Sequence, residues 1–195
     1  MRILVQTSAS QNGLSSTSHN LAEALTDLIG KEVCHSVYDG KSDGWRSHAE
    51  HGSWQIQEAS FSAQNEIESL LPEADVVLSP IAPDFDGMKG ANELTRVMQQ
   101  CLGTSAAMRV LLEKYNGRSA MHREVRAHIA GKFGSETLLP VVVRNSSKIE
   151  EAMTLGLSIF DYAPSSTGAQ DYMALARYLQ SEAEMNKQSQ RRFPQ

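Results

Sequence analysis

The segment 74–81, ADVVLSPI, is apolar at almost every position and short enough for one strand. Side chains alternate between the faces of a strand, so a run apolar throughout must be covered on both sides. That is the situation of a central strand in a parallel sheet with a helix layer on each face. The rest of the chain supplies partners for such a strand. Residues 2–6, 32–38, 54–59, 108–112 and 138–143 read as further strands, and 157–160 as a short last one. Between them, 20–28, 63–71, 90–102, 122–133, 148–155 and 169–183 carry apolar residues at helical spacing, as Leu21, Ala24, Leu25 and Leu28 do. Pro72 should stop one of these helices, and Gly134 and Gly156 should end two others. The Ser-Ser-Thr-Ser run at 15–18 offers N-caps for the first helix. Strand and helix alternating over the whole length predict an α/β fold, a doubly wound and mostly parallel sheet with helices on both faces.

A chain of 195 residues suits one such domain, expected over 1–183, with 184–195 a polar, basic tail expected to fray. Residues 41–53, rich in Gly, Ser, His and charge, lack periodicity and read as an exposed loop framed by Trp45 and Trp54. The opening MRILVQTSAS reads as a first strand rather than a leader, no apolar run is long enough to span a membrane, and two cysteines make no disulfide framework. These features together suggest the cytoplasm. The formal net charge of −5 argues against a protein that meets nucleic acid over its whole surface, so any such contact must be a local basic patch.

Several constellations read as structural. His48, Glu50 and His51 share a loop but have no further ligand beside them in sequence, so solvated side chains are expected there and no metal site. Cys34 and His35 are neighbours on a strand and point to opposite faces, which excludes a dyad. No G-x-S-x-G elbow presents any of the serines as a nucleophile.

Three longer stretches carry a resemblance. They are ADVVLSPIAPDFDGMKGANEL at 74–94, NGRSAMHREVRAHIAGKFG at 116–134, and VVVRNSSKIEEAMTLGLSIFDYAPSSTGAQDYMALARYL at 141–179. In order and in loop spacing they resemble the ParA/Soj/MinD partition ATPases, a P-loop NTPase-like family with a deviant Walker A loop. Weaker similarity covers 1–28, where the first helix carries NLAEAL. The resemblance implies the same fold, ATP with Mg²⁺ as ligand, and work in plasmid or chromosome segregation.

Carried over residue by residue, the resemblance also implies a damaged nucleotide loop. The family's KGGxGKTT loop follows the first strand. Its glycines let backbone N–H groups close on phosphates, one lysine neutralises the β- and γ-phosphates, and the other reaches a partner's nucleotide. Aligned on Asn20-Leu21-Ala22, Ala9 falls at the signature lysine, Ser10 and Gln11 at two glycines, and Gly13 at the third. Leu14 then takes the phosphate-binding lysine's place, and Ser15 and Ser16 those of the threonines, the first of which holds Mg²⁺. No Lys or Arg lies between Arg2 and Lys31 to substitute. Asp39 falls near the catalytic carboxylate of the second strand, without its motif, and Glu58 at the Walker B aspartate, one methylene too long. Arg144 and Asn145 keep part of the pattern before the adenine-contacting loop, and Gly13 with the hydroxyls leaves a weak anion site. The expectation is weak ATP/Mg²⁺ binding or none, and no competent hydrolysis, since phosphoryl transfer depends on positive charge this loop lacks.

Family members also bind DNA without sequence preference through basic residues of the second half, and Arg118, Arg123, Arg144 and Lys148 occupy that neighbourhood here. Solvated surface charge is the alternative, because Glu124, Glu150 and Glu151 dilute the patch. The partners implied are non-specific DNA, a ParB-like or cargo-adaptor protein, and a second copy in a homodimer, with no membrane. Nucleoid association would follow if DNA is bound. Leu14 could pack across a nucleotide-free dimer interface. Two functions follow from different classes: a partition or cargo-positioning protein, and a pseudo-ATPase scaffold that regulates a partner without DNA.

Overall fold

The computed structural model describes residues 1–6, 14–38, 45–47, 54–59, 71–100 and 107–192, with the side chains of 14, 15, 38, 45–47, 187 and 189–192 left out. Strands β1 (Arg2–Val5), β2 (Cys34–Tyr38), β3 (Trp45–Ser47), β4 (Gln55–Glu58), β5 (Val76–Ile81), β6 (Ala107–Tyr115) and β7 (Leu138–Arg144) form one sheet in the order β3-β2-β4-β1-β5-β6-β7. Every neighbouring pair is parallel except β2–β3, so the sheet is mostly parallel, as the alternation of strand and helix demands. β5 is buried at all its positions, as its unbroken apolar run requires.

The helices are α1 (Leu14–Ile29), α2 (Phe85–Gln100), α3 (Ala120–Phe133), α4 (Ser147–Thr154), α5 (Ile159–Tyr162) and α6 (Thr167–Arg192), with a 3-10 turn at Leu71–Glu73. α1 and α6 lie on one face, where Leu21, Leu25, Tyr172, Leu175 and Leu179 pack with Ile3, Val5, Leu78 and Leu111. α2 and α3 cover the other face, α2 through Leu94 and Val97 against Leu4 and Val77, and α3 through Val125 and Ile129 against Val110 and Leu112. Burying that much aliphatic surface is the main drive for the fold, at roughly 1.5–3 kcal/mol for each fully buried large side chain.

Four expectations need correction. Residues 157–160 are not a strand: Ser158 accepts from the Asp161 backbone N–H at 3.1 Å and starts the short α5 instead. The 41–53 loop contains β3, a three-residue edge strand too short for any periodicity to betray. α1 begins at Leu14, so the hydroxyls of 15–18 are inside the helix and do not cap it from outside. α6 runs on to Arg192 past Ala183, where its apolar stripe ends, with Glu184, Met185 and Asn186 exposed along that continuation. Pro72 sits within the 3-10 turn, and the helix expected over 63–71 falls outside the described residues except for Leu71. Gly156 does take the left-handed conformation expected of it, with φ +69° just past α4.

Candidate functional site

The parallel strands all end on one edge of the sheet. Strand order reverses around β1, where one connection leads toward β2 and a later one toward β5, and open α/β sheets take ligands in the crevice at such a point. α1 starts there. Its first turns are where a relative of the resembled family would seat phosphates.

What lines that position among the described residues is acidic. Thr17 and Ser18 are buried, and each hydroxyl donates to a buried carboxylate: Thr17 Oγ1 to Glu113 Oε1 on β6, and Ser18 Oγ to Glu58 Oε2 on β4. Glu113 also accepts from the Tyr172 hydroxyl of α6 at 3.3 Å, and Ser16 Oγ lies 3.1 Å from that same hydroxyl. His35 Nε2 on β2 stands 3.8 Å from Glu58 Oε2. Two residues beyond Ser18, Asn20 ties the helix down, its Oδ1 accepting from the Ile159 backbone N–H at 2.7 Å and its Nδ2 donating to the Ser16 carbonyl at 2.8 Å. The head of α1 is thus clamped between two inward carboxylates by its own hydroxyls.

Burial is the dominant influence on Glu113. It disfavours the charged form and raises the pKa from 4.5 to about 7, against the opposing pull of the Thr17 and Tyr172 hydroxyls and the Lys114 charge. Burial, and the neighbouring Glu113 charge, push the Tyr172 phenol well above its ordinary value. The strand is irregular at this point. Lys114 has φ +51°, uncommon for a residue with a side chain, and the β6–β7 register shifts between Val110 and Leu112 and again between Leu112 and Tyr115.

The residues singled out from sequence distribute unevenly. Gly13 and Asp39 lie outside the described residues, and Leu14 and Ser15 open α1 with their side chains outside them. Ser16 and Glu58 do come together at the head of α1, but the hydroxyl that meets Glu58 is that of Ser18. Arg144 and Asn145 stand at the end of β7, on the same edge. There Arg144 grips Asp171 of α6, Nη2 to Oδ1 at 2.7 Å and Nε to Oδ2 at 3.0 Å, while Asp171 also takes the Arg144 backbone N–H at 2.9 Å. These hydrogen bonds hold the guanidinium pKa above its ordinary value.

The same edge carries the basic residues. Arg118 is exposed in the turn after β6, and Arg123 folds back from α3 to donate to the Gly117 carbonyl at 2.8 Å. Arg126, which the sequence did not single out, lies over the Tyr115 ring at 5.8 Å. Lys148 is committed to Glu151 at 2.8 Å, and that carboxylate also accepts from Tyr162 at 2.5 Å. The hydrogen bond from Lys148, then that from Tyr162, lowers the Glu151 pKa. Of the four expected cations, Arg118 and Arg123 are exposed and have no carboxylate partner among the described residues, while Arg144 and Lys148 are neutralised by neighbours.

Glu113 and Asp171 escaped sequence reasoning, and Thr17 and Ser18 entered it only as members of the hydroxyl run at 15–18. A signal for Glu113 existed: it interrupts the apolar run VLL of β6 with a charge. Among the described residues no group of three or more His, Cys, Asp or Glu could hold a metal ion, and no helix is long and apolar enough to cross a membrane.

The chain is similar to the chromosome-partitioning ATPase Soj of Thermus thermophilus, 28% identical over 112 residues, which are 55% of this chain and 45% of Soj. It is 27% identical to the chromosome partitioning protein ParA of Caulobacter vibrioides over 108 residues, 53% of this chain and 40% of that one. The matched region spans less than half the length of these relatives. No family model matches the chain. Its fold superposes on the MinD cell division protein of Aquifex aeolicus with a TM-score of 0.73 at 12% identity, covering 92% of this chain and 97% of MinD. It also superposes on apo McdA of Cyanothece with a TM-score of 0.65 at 11% identity, covering 91% and 98%.

Proposed function

Because this chain belongs with the ParA/MinD partition ATPases in sequence and fold, we propose that it is a ParA-like protein of DNA partition or cargo positioning that binds ATP weakly or not at all. One observation carries the reading: the Thr17 and Ser18 hydroxyls at the head of α1 are spent on two buried carboxylates, Glu113 and Glu58. A triphosphate bound there would bring its negative charge close to both acids. No lysine or arginine between Arg2 and Lys31 offsets that repulsion from the same segment. Leu14, at the place of the phosphate-binding lysine, offers hydrocarbon instead of an ammonium. With no cation to stabilise charge developing on the transferring phosphoryl group, hydrolysis loses its main electrostatic support.

Calorimetric titration with MgATP tests this. The expected result is no binding in the micromolar range; micromolar binding that requires Mg²⁺ would restore a nucleotide switch. Contact with non-specific DNA is supported by the outward Arg118 and Arg123 at the sheet edge. A mobility shift on long DNA without nucleotide, lost on raising the salt, is the expected outcome.

The second reading is a scaffold that regulates a partner, a ParB-like or cargo-adaptor protein, without DNA. It is favoured by the pairing of Arg144 with Asp171 and of Lys148 with Glu151, which removes half of the expected phosphate contacts. The absence of any shift at low salt would select it. A homodimer remains part of both readings, and sedimentation of the Leu14→Lys variant beside the parent checks whether Leu14 packs in its interface.

A further inference from the structure

Among the described residues, Glu113 on the α1 face of the sheet is a buried acid with no buried cation in contact with it. Glu113 is in contact with three elements, and the groups they present are countable. α1 contributes the uncharged hydroxyls of Ser16 and Thr17, and α6 contributes the Tyr172 phenol. On β7 the nearest cation is Arg144, engaged by Asp171, and β5, VVLSPI, holds no titratable group. Lys114, next in the chain, acts on Glu113 through charge, but its ammonium pairs with Glu150 at 3.3 Å at the surface.

We infer that Glu113 is a proton-operated latch on the head of α1: protonated, it seats the first turns of the helix against β6 and α6, and ionised, it releases them. The neutral acid sits between Thr17 and Tyr172 with no charge to solvate. The anion keeps two hydroxyl donors but faces no counter-ion in a dry interior, a situation proteins relieve by neutralising the group or letting water in. Water has one easy route. From Leu21 onward α1 is locked by Leu21, Ala24 and Leu25 in the core, and Asn20 is pinned to Ile159, so opening stops there. Before Asn20 the buried side chains of the helix, among those described, are Thr17 and Ser18, both polar. The backbone around the acid is already irregular, with the left-handed Lys114 and the shifted β6–β7 register beside it, as expected where a fold stores strain for a moving part. Burial places the titration of Glu113 at about 7, inside the range a cell spans.

The inference stands apart from the nucleotide reading, because it concerns the protein without any ligand. Amide hydrogen exchange of the full chain, corrected for the intrinsic pH dependence, tests it. Protection of the amides of 16–20 should fall by up to about tenfold for each pH unit between about 4.5 and about 7 and level off above that, while those of β6 and α3 stay unchanged. In Glu113→Gln, which cannot ionise, the fall should vanish. Should that variant fail to fold, Tyr172→Phe removes one donor to the anion and should move the midpoint of the fall to higher pH. A fall that is absent, that spreads over all helices together, or that persists unchanged in Glu113→Gln overturns the latch.

Discussion

Two stretches of the same sheet edge treat charge in opposite ways. At the head of α1, polar groups turn inward: Thr17 and Ser18 reach Glu113 and Glu58, and both acids are buried. At the end of β7, a buried carboxylate meets a cation instead: Asp171 is held by the half-exposed Arg144 through its side chain and its backbone N–H. The second stretch lies within 141–179, the longest stretch that carries the family resemblance, and the first lies in a segment, 3–30, that holds no lysine or arginine. The difference teaches what kind of residue keeps a fold recognisable. Arg144 and Asp171 fasten β7 to α6 whatever is bound nearby, so the architecture needs them. The lysines of a phosphate loop are needed for phosphate alone, and a chain that loses them can fill the space with hydroxyls and carboxylates and keep the same sheet.

The sharpest way to break this comparison is to remove the inward charge. The folded protein holds a proton on Glu113 that the unfolded chain releases above about 4.5, so its contribution to stability is complete below that pH and is lost as pH rises through about 7. Glu113→Gln should therefore be more stable than the parent by up to about 3 kcal/mol at pH 8, the 2.5-unit shift at 1.36 kcal/mol each, and no more stable at pH 4. Denaturant melts at the two pH values read the crossing.

Removing the carboxylate that Arg144 holds should act in the other direction. Asp171→Ala leaves the Arg144 guanidinium and its backbone N–H without their acceptor, a loss of roughly 2 kcal/mol in the same melts. Asp171→Asn, which still accepts from the N–H, should lose less. A smaller effect is expected where one hydroxyl caps one short helix: Ser158→Ala should cost about 1 kcal/mol. The smallest belongs to the exposed Lys148–Glu151 pair, where Lys148→Ala should leave the melting temperature unchanged within error.

The contrast also explains what could be read in the sequence. The central strand was legible because ADVVLSPI leaves no polar side to expose, and α6 was legible from Tyr172, Leu175, Ala176 and Leu179 at helical spacing. β3 was not, since three residues on an edge pair on one side only and need no pattern. α5 was missed because four residues of IFDY fit a strand as well as a helix turn, and Ser158 as a cap decides between them. At the site, alignment located Glu58 and the head of α1, but it did not reveal that Thr17 and Ser18 are the hydroxyls turned toward the two buried acids. Helical phase decides that: Thr17 and Ser18 point inward from a helix starting at Leu14, a start the apolar pattern beginning at Leu21 did not reveal. Tyr172 was read as one more member of an apolar stripe, which its ring is, while its hydroxyl finds Glu113 from 59 residues away in sequence.

The central claim is that the head of α1 is satisfied from within and has no affinity left for a triphosphate. Melting the protein with and without millimolar MgATP tests that directly, because a ligand of micromolar affinity would add about 4 kcal/mol of stability at a thousandfold excess over its Kd. The account predicts the same melting temperature in both solutions. A rise of several degrees that disappears when Mg²⁺ is chelated would contradict it.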